Sequence, residues 1–321
     1  MVNVSKCIRI LSRYRDVIPD FDFFINVVLS RPIRCIRVNF FKVDPKELHN
    51  ILTTLNFNLY PVKWLNYAFY SMNKGLGRTL YHGLGYYYVE DLVSLLPPII
   101  LFKSLRRKLK ILDLAAAPGG KCTHMSQLLL RENLNSLVIA NEPDNVRRRA
   151  LIINVERLTL PNIIITGYDG RYFPKTTLFD GIIFDAPCSS ESLLYEMSAR
   201  DLKMLSESTY IKYSQLQKSI IRNAYEIIDH GGLLVYSVCT FAPEEAEDVI
   251  NYALEVGFKV EKLPRLPFKF SKGLDEWKIS GKVIRFDSSI SKHTVRLYPH
   301  LNYDDYQGSI GYLYLSLLRK V

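Results

Sequence analysis

Two cysteines stand where chemistry is possible. Cys188 follows the apolar run of GIIFDAPCSS (residues 181–190) and Cys239 that of GLLVYSVCTF (232–241). A structural cysteine usually lies inside such a run. A thiol at its exit, beside Asp185 and Pro187 or before Thr240 and Pro243, lies where a parallel sheet presents side chains to a ligand. Two thiols at two strand exits point to shared cysteine chemistry, in which a thiolate is the nucleophile.

Acids mark the exits of three further strand-like runs. KILDLA (110–115) contains Asp113 and leads into AAAPGGK (115–121). There Ala115, Ala116, Pro118, Gly119 and Gly120 let a ligand approach the backbone where a helix begins. The turn is neither GxGxxG nor a P-loop, since Cys122 follows Lys121, so a small adenosine compound suits it better than a pyrophosphate. SLVIANE (136–142) ends in Glu142, placed for ribose hydroxyls, and NIIITGYD (162–169) ends in Asp169, placed for an adenine amino group. Methylation of carbon 5 of a pyrimidine needs these parts together. A thiolate adds to C6, an acid group supports charge at N3, and a further group assists loss of the C5 proton and release of the thiol. Cys188, Cys239 and Asp185 supply them.

The positioning elements follow from periodicity. Strand candidates at 110–115, 136–142, 162–169, 180–186, 232–238, 257–263 and 310–320 alternate with helical segments such as 144–158. This pattern predicts an α/β fold with a Rossmann-like, seven-stranded, doubly wound sheet over residues 103–321. Residues 1–75 read as a small α/β unit, with a strand in 33–41 and an Asp44-capped helix in 44–55. Residues 76–102 read as a turn-rich connection, and packing is the expected role of Tyr81, His82, Tyr86, Tyr87 and Tyr88.

The chain has 321 residues and a formal net charge of +10, which favours an anionic partner such as nucleic acid. Its five cysteines form no CxxC or Cys/His spacing, so no metal site is expected. No signal peptide or long apolar run occurs, and reduced thiols in the cytoplasm are expected, without membrane attachment. KSLRRKLK (103–110), with five basic residues, and residues 259–285, with eight against three acids, are candidate phosphate contacts.

The motifs LDLAAAPGGK (112–121), ANEPDNVRRRALIINVERL (140–158), DAPCSS (185–190), YSVCTFAPEEAE (236–247), RLYPH (296–300) and GYLYLSLLRK (311–320) resemble the NOL1/NOP2/sun family of RNA cytosine-5 methyltransferases. RVNFFK (37–42) and GYYYVEDLVSLLPP (85–98) extend the resemblance over nearly the whole chain. It implies S-adenosylmethionine as cofactor, Cys239 as nucleophile, Cys188 as the thiol assisting release, and Asp185 as the acid holding the cytosine near N3. It further implies that Ala115, Ala116, Pro118, Gly119, Gly120, Lys121, Glu142, Arg147, Asp169 and Asp185 surround the cofactor, with Lys121 also ordering the carboxylate. Arg296 and His300 match a motif without an assigned role.

Glu90, Ser190, Val238 and Ala246 stand where the family usually has glutamine, glycine, threonine and asparagine. The short form resembles the archaeal-type tRNA enzymes, so the expected partner is RNA, with tRNA ahead of ribosomal RNA, and a monomer is expected. No room is left for an appended RNA-binding domain, which assigns docking to the N-terminal unit and the basic surface. Two other readings weigh less. A DNA enzyme would use the cysteine of the Pro-Cys motif, Cys188, and an amino-group methyltransferase would carry Pro-Pro-aromatic where DAPC stands. A non-catalytic RNA-binding assembly factor of the same fold is the alternative from a different class.

Overall fold

The computed structural model describes residues 4–106, 110–132 and 135–321. The core of the basic run at 103–110, residues 107–109, therefore lies outside the described residues. Strands β1 (Arg34–Val38), β2 (Tyr60–Pro61), β3 (Ala68–Ser71) and β4 (Tyr87–Asp91) form an antiparallel sheet in the order β2-β3-β1-β4. β4 lies in the stretch expected as a connection, yet it pairs with β1 along its whole length. Its Tyr87 and Tyr88 are buried, so the aromatic patch packs.

All seven expected strands are present: β5 (Lys110–Asp113), β6 (Leu137–Asn141), β7 (Ile163–Thr166), β8 (Phe179–Asp185), β9 (Ile228–Val238), β10 (Phe258–Glu261) and, at the chain's end, β15 (Leu313–Lys320). Two short strands, β11 (Ser271–Lys272) and β14 (Val295–Leu297), extend the same sheet, while β12 (Glu276–Ile279) and β13 (Lys282–Arg285) form a separate hairpin. β7-β6-β5-β8-β9 run parallel in that order, and β15 closes antiparallel on β9. The other edge of β15 is shared between β14 and β10.

Parallel strands covered on both faces must be apolar almost throughout. β8 and β9 satisfy this: Ile183 and Val235 face one core, while Ile182 and Leu234 face the other. Gly181 in β8 has no room for a side chain, because a Cβ would lie 2.7 Å from Leu105 Cδ1. The four-stranded sheet packs on the first face, whereas Cys7, Leu11, Tyr14 and Phe24 of the N-terminal helices pack on the second. Among the described residues no helix is long and apolar enough to cross a membrane.

The strand order reverses between β5 and β8, which opens a crevice at their carboxyl ends. Gly119, at φ +116°, starts the helix Gly120–Arg131 there. Asp144 caps the helix Asn145–Leu158 by accepting the N–H groups of Val146 and Arg147 at 2.9 and 2.8 Å. Asn141, buried at the end of β6, donates to the carbonyls of Leu114 and Tyr168, tying three strand exits together.

Candidate active site

Cys188 lies three residues beyond β8 and Cys239 one beyond β9, and their sulfurs are 3.4 Å apart. Either sulfur can donate in this contact, which lowers the Cys239 pKa and pushes that of Cys188 well up. Cys239 is therefore the sulfur predisposed to be a thiolate, and Cys188 the one that keeps its proton. Ser190 Oγ lies 3.7 Å from each sulfur, and Ser190 adopts a left-handed φ of +58°. That backbone conformation explains why glycine suits this position.

Asp185 ends β8, where Oδ2 accepts from Lys121 Nζ at 2.5 Å and Oδ1 accepts from Ser237 Oγ at 2.6 Å. Burial opposes the Lys121 charge, but Asp185 outweighs it, and the net shift is upward. Ser237 is not among the expected site residues, and its contact follows from the β8–β9 register that sets it opposite Asp185.

Both thiol loops are held from behind by buried acids. Glu191 accepts from the hydroxyls of Tyr14, Tyr210 and Thr240 at 2.7, 2.7 and 3.0 Å and from the Phe241 N–H at 3.2 Å. Glu245 Oε2 accepts from the Ser189 N–H and from Gln217 Nε2, each at 3.0 Å. Burial pushes the Glu245 pKa up to about 8. Arg296 is fully buried, pairs with Glu247 and donates to the Phe241 carbonyl, so it braces the loop after Cys239. His300 packs edge-on against Phe23 and Phe24. Ala246 stands at the N-cap of Glu247–Val256 without a side-chain cap, and Val238 is buried core.

A cavity of about 220 Å³ adjoins this constellation. Asp113, Ala115, Ala116, Pro118, Gly120, Lys121 and Asp185 line one side, and Tyr88, Glu90 and Asp91 of β4 line the other. Glu90 is fixed by the buried Arg37, whose Nε donates at 2.9 Å and whose Nη2 donates to Thr123 Oγ1 at 2.9 Å. A Cβ on Gly120 would lie 3.2 Å from the Tyr88 ring and 3.3 Å from Glu90 Oε2, so a larger residue requires this wall to give by a few tenths of an ångström.

Of the other expected cofactor residues, Glu142 is buried, takes the Asp144 N–H on Oε1, and has Arg147 Nη1 3.5 Å from Oε2. Arg147 also donates to the Ala117 carbonyl. Asp169 is not among the cavity residues, and its carboxylate is engaged by the Arg171 guanidinium and N–H.

Among the described residues, Asp113 Oδ2, Glu90 Oε2 and Glu142 Oε2 are buried acceptors that take no hydrogen bond, with Arg147 3.5 Å from the last. Burial raises the Asp113 pKa to about 7. Orphaned acceptors around a small-residue turn fit a ligand that brings an ammonium group and ribose hydroxyls, as S-adenosylmethionine does.

The family described as 16S rRNA methyltransferase RsmB/F matches residues 101–307. The chain belongs to this family. Residues 9–92 match the N-terminal domain of 16S rRNA methyltransferase RsmF. This is the NOL1/NOP2/sun family that the motifs resemble, a family of S-adenosylmethionine-dependent RNA (cytosine-5)-methyltransferases. The chain is 32% identical over 300 residues, 92% of each chain, to tRNA (cytosine(49)-C(5))-methyltransferase of Pyrococcus abyssi. It is 34% identical over 229 residues to ribosomal RNA small subunit methyltransferase F of Shewanella sp. strain MR-4, covering 70% of this chain and 47% of that protein. It thus spans about half the length of such relatives. The fold is similar to a crystal structure of a methyltransferase homolog protein from Pyrococcus horikoshii, with a TM-score of 0.74, 25% identity and coverage of 99% and 98%. The crystal structure of NSun6 from Pyrococcus horikoshii with SFG shares the fold at a TM-score of 0.74 and 20% identity, covering 97% of each chain.

Proposed function

We propose that this enzyme methylates carbon 5 of a cytosine in tRNA through a covalent bond between Cys239 and C6 of the base. The observation that carries the reading is the sulfur pair, 3.4 Å apart, in which Cys239 is acidified and Cys188 keeps its proton beside a Lys121-held Asp185. S-adenosylmethionine, when bound, supplies an electrophilic methyl group. Asp113, Glu90 and the 115–121 turn would hold it, and Glu142 and Arg147, which lie outside the cavity lining, would meet its ribose hydroxyls.

The Cys239 thiolate adds to C6, forming an S–C6 bond and making C5 nucleophilic. As the thiolate adds, N3 takes up a proton from water. The Asp185 carboxylate, held by Lys121, accepts a hydrogen bond from that N3–H until the proton returns to water on release of the thiol. C5 would then take the methyl group, the sulfonium C–S bond breaking to leave a neutral thioether, and the C5 proton would leave to water. The electron pair restores the C5–C6 double bond and breaks the S–C6 bond. The Cys188 S–H hydrogen-bonds to the sulfur as it leaves, returning the pair to its starting protonation state. RNA docking is assigned to the N-terminal unit, where Arg31, Arg34 and Lys74 border a cleft of about 240 Å³ next to the cofactor cavity.

A relative of matching length supports tRNA over ribosomal RNA. Labelled-cofactor methylation of bulk tRNA and of small ribosomal subunits separates the two. Label in tRNA, abolished by Cys239→Ala, is expected; label only in ribosomal RNA would replace the substrate. Unchanged labelling by Cys239→Ala would remove the nucleophile assignment.

A further inference from the structure

A broad groove beside the Cys188 loop plays no part in the chemistry above. It has a volume of about 960 Å³ and begins at the loop of Cys188, Ser189 and Ser190. From there it runs along the helix Glu207–Ile227. Thr209, Lys212, Tyr213, Leu216 and Ser219 line it at helical spacing, and Met197 and Leu205 complete an apolar floor. Tyr213 and Leu216 are half-buried, and Lys212 is exposed with no ion-pair partner among the described residues.

The other charges at the rim are already engaged. Asp201 accepts from the Ser198 N–H and hydroxyl at the start of its own helix, and Arg171 is held by Asp169. Lys212 is thus the uncommitted charge on a floor of thioether, aliphatic and phenol groups. That chemistry suits a nucleobase on the floor and a phosphate at the rim.

Continuity with the thiols decides which nucleotide it is. Cys188 lines the groove and also touches Cys239, so a base bonded at Cys239 has its chain neighbour within reach of the groove. The cofactor cavity lies on the other side, against Lys121 and Asp185.

We propose that this groove is a subsite for the RNA nucleotide adjoining the target cytosine, its base resting on Tyr213 and Leu216 and its phosphate meeting Lys212. The subsite rests on the assignment of Cys239 as the residue that holds the target base. A base here is recognised by its face, so the subsite tolerates any base but requires one.

The test is binding of fluorescein-labelled hexacytidylate, followed by anisotropy, which needs no turnover. Tyr213→Ala is expected to weaken binding about tenfold without changing the salt dependence, and Tyr213→Phe to keep wild-type affinity. Lys212→Ala is expected to reduce the slope of log affinity against log salt by about 0.7, the share of one phosphate on a single strand. The Michaelis constant for bulk tRNA should rise in Tyr213→Ala in parallel with the oligonucleotide Kd. Affinities and slopes within twofold of wild type in both alanine variants, with methylation of tRNA retained, would overturn the subsite and leave the thiol chemistry standing. Loss of methylation in Tyr213→Ala with unchanged oligonucleotide binding would also overturn it, because the tyrosine would then serve the Cys188 loop instead.

Discussion

At the scale of residues, the site works by placing unlike groups in contact. Two like thiols share one hydrogen bond that lowers the Cys239 pKa against burial and the Asp185 carboxylate, with smaller help from Ser190 and Lys121. Lys121→Met leaves Asp185 without its cation, and kcat/KM for tRNA is expected to fall about 100-fold. Ser190 holds a left-handed conformation at a cost of order 1 kcal/mol and sets its hydroxyl against both sulfurs. Ser190→Gly is expected to raise Tm by about 1–2 °C while moving the acid limb of the pH–rate profile upward. An unchanged profile would show that the hydroxyl does not tune the thiols.

Glu245 gives a stability signature of its own. Its folded pKa of about 8 lies above the ordinary carboxylate value, so the protonated form favours folding. The stability is fully present below about pH 4.5 and is lost as pH rises through 8. Glu245→Gln keeps an acceptor for the Ser189 N–H and removes this ionisation. Its Tm should exceed that of wild type by about 4 °C at pH 9, with little difference at pH 5. Equal curves for the two proteins would contradict the assignment.

At the scale of elements, the sheet was legible in the sequence and much of the bracing was not. β5, β8 and β9 announce themselves as apolar runs closed by Asp113, Asp185 and Cys239, because buried parallel strands tolerate little else. β4 was hidden in a glycine- and tyrosine-rich stretch whose pairing with β1 is a tertiary fact. Ser237 offered one local signal: it lies two residues before Cys239, on the same face of an extended chain. Glu191, Gln217 and Tyr14 offered none, since their partners lie up to 177 residues away.

Arg37 is the element-scale counterpart of Lys121, joining β1, β4 and the helix after the glycine turn. Removing it leaves Glu90 buried and uncompensated. Arg37→Met is expected to cost about 3–5 kcal/mol, and Arg37→Met with Glu90→Gln to recover most of the loss. Urea midpoints measure both, and a double variant no better than the single one would locate the cost elsewhere.

At the scale of the whole molecule, one chain of 37.1 kDa carries the cofactor cavity, both thiols and a basic surface. Light scattering in the presence of tRNA-free buffer is expected to read about this mass. The net charge of +10 makes RNA binding salt-dependent, with an expected log–log slope between about −3 and −5 for tRNA. Composition announced an anionic partner, and membership of an RNA methyltransferase family narrows it to RNA.

The central claim is the division of labour between the two sulfurs, and trapping the covalent state tests it most directly. Cys188→Ala, incubated with cofactor and tRNA and run on a denaturing gel, should accumulate a slow-migrating protein–RNA band. The Cys188→Ala/Cys239→Ala double variant should show none. A band that persists without Cys239, or that requires Cys188, would contradict the account.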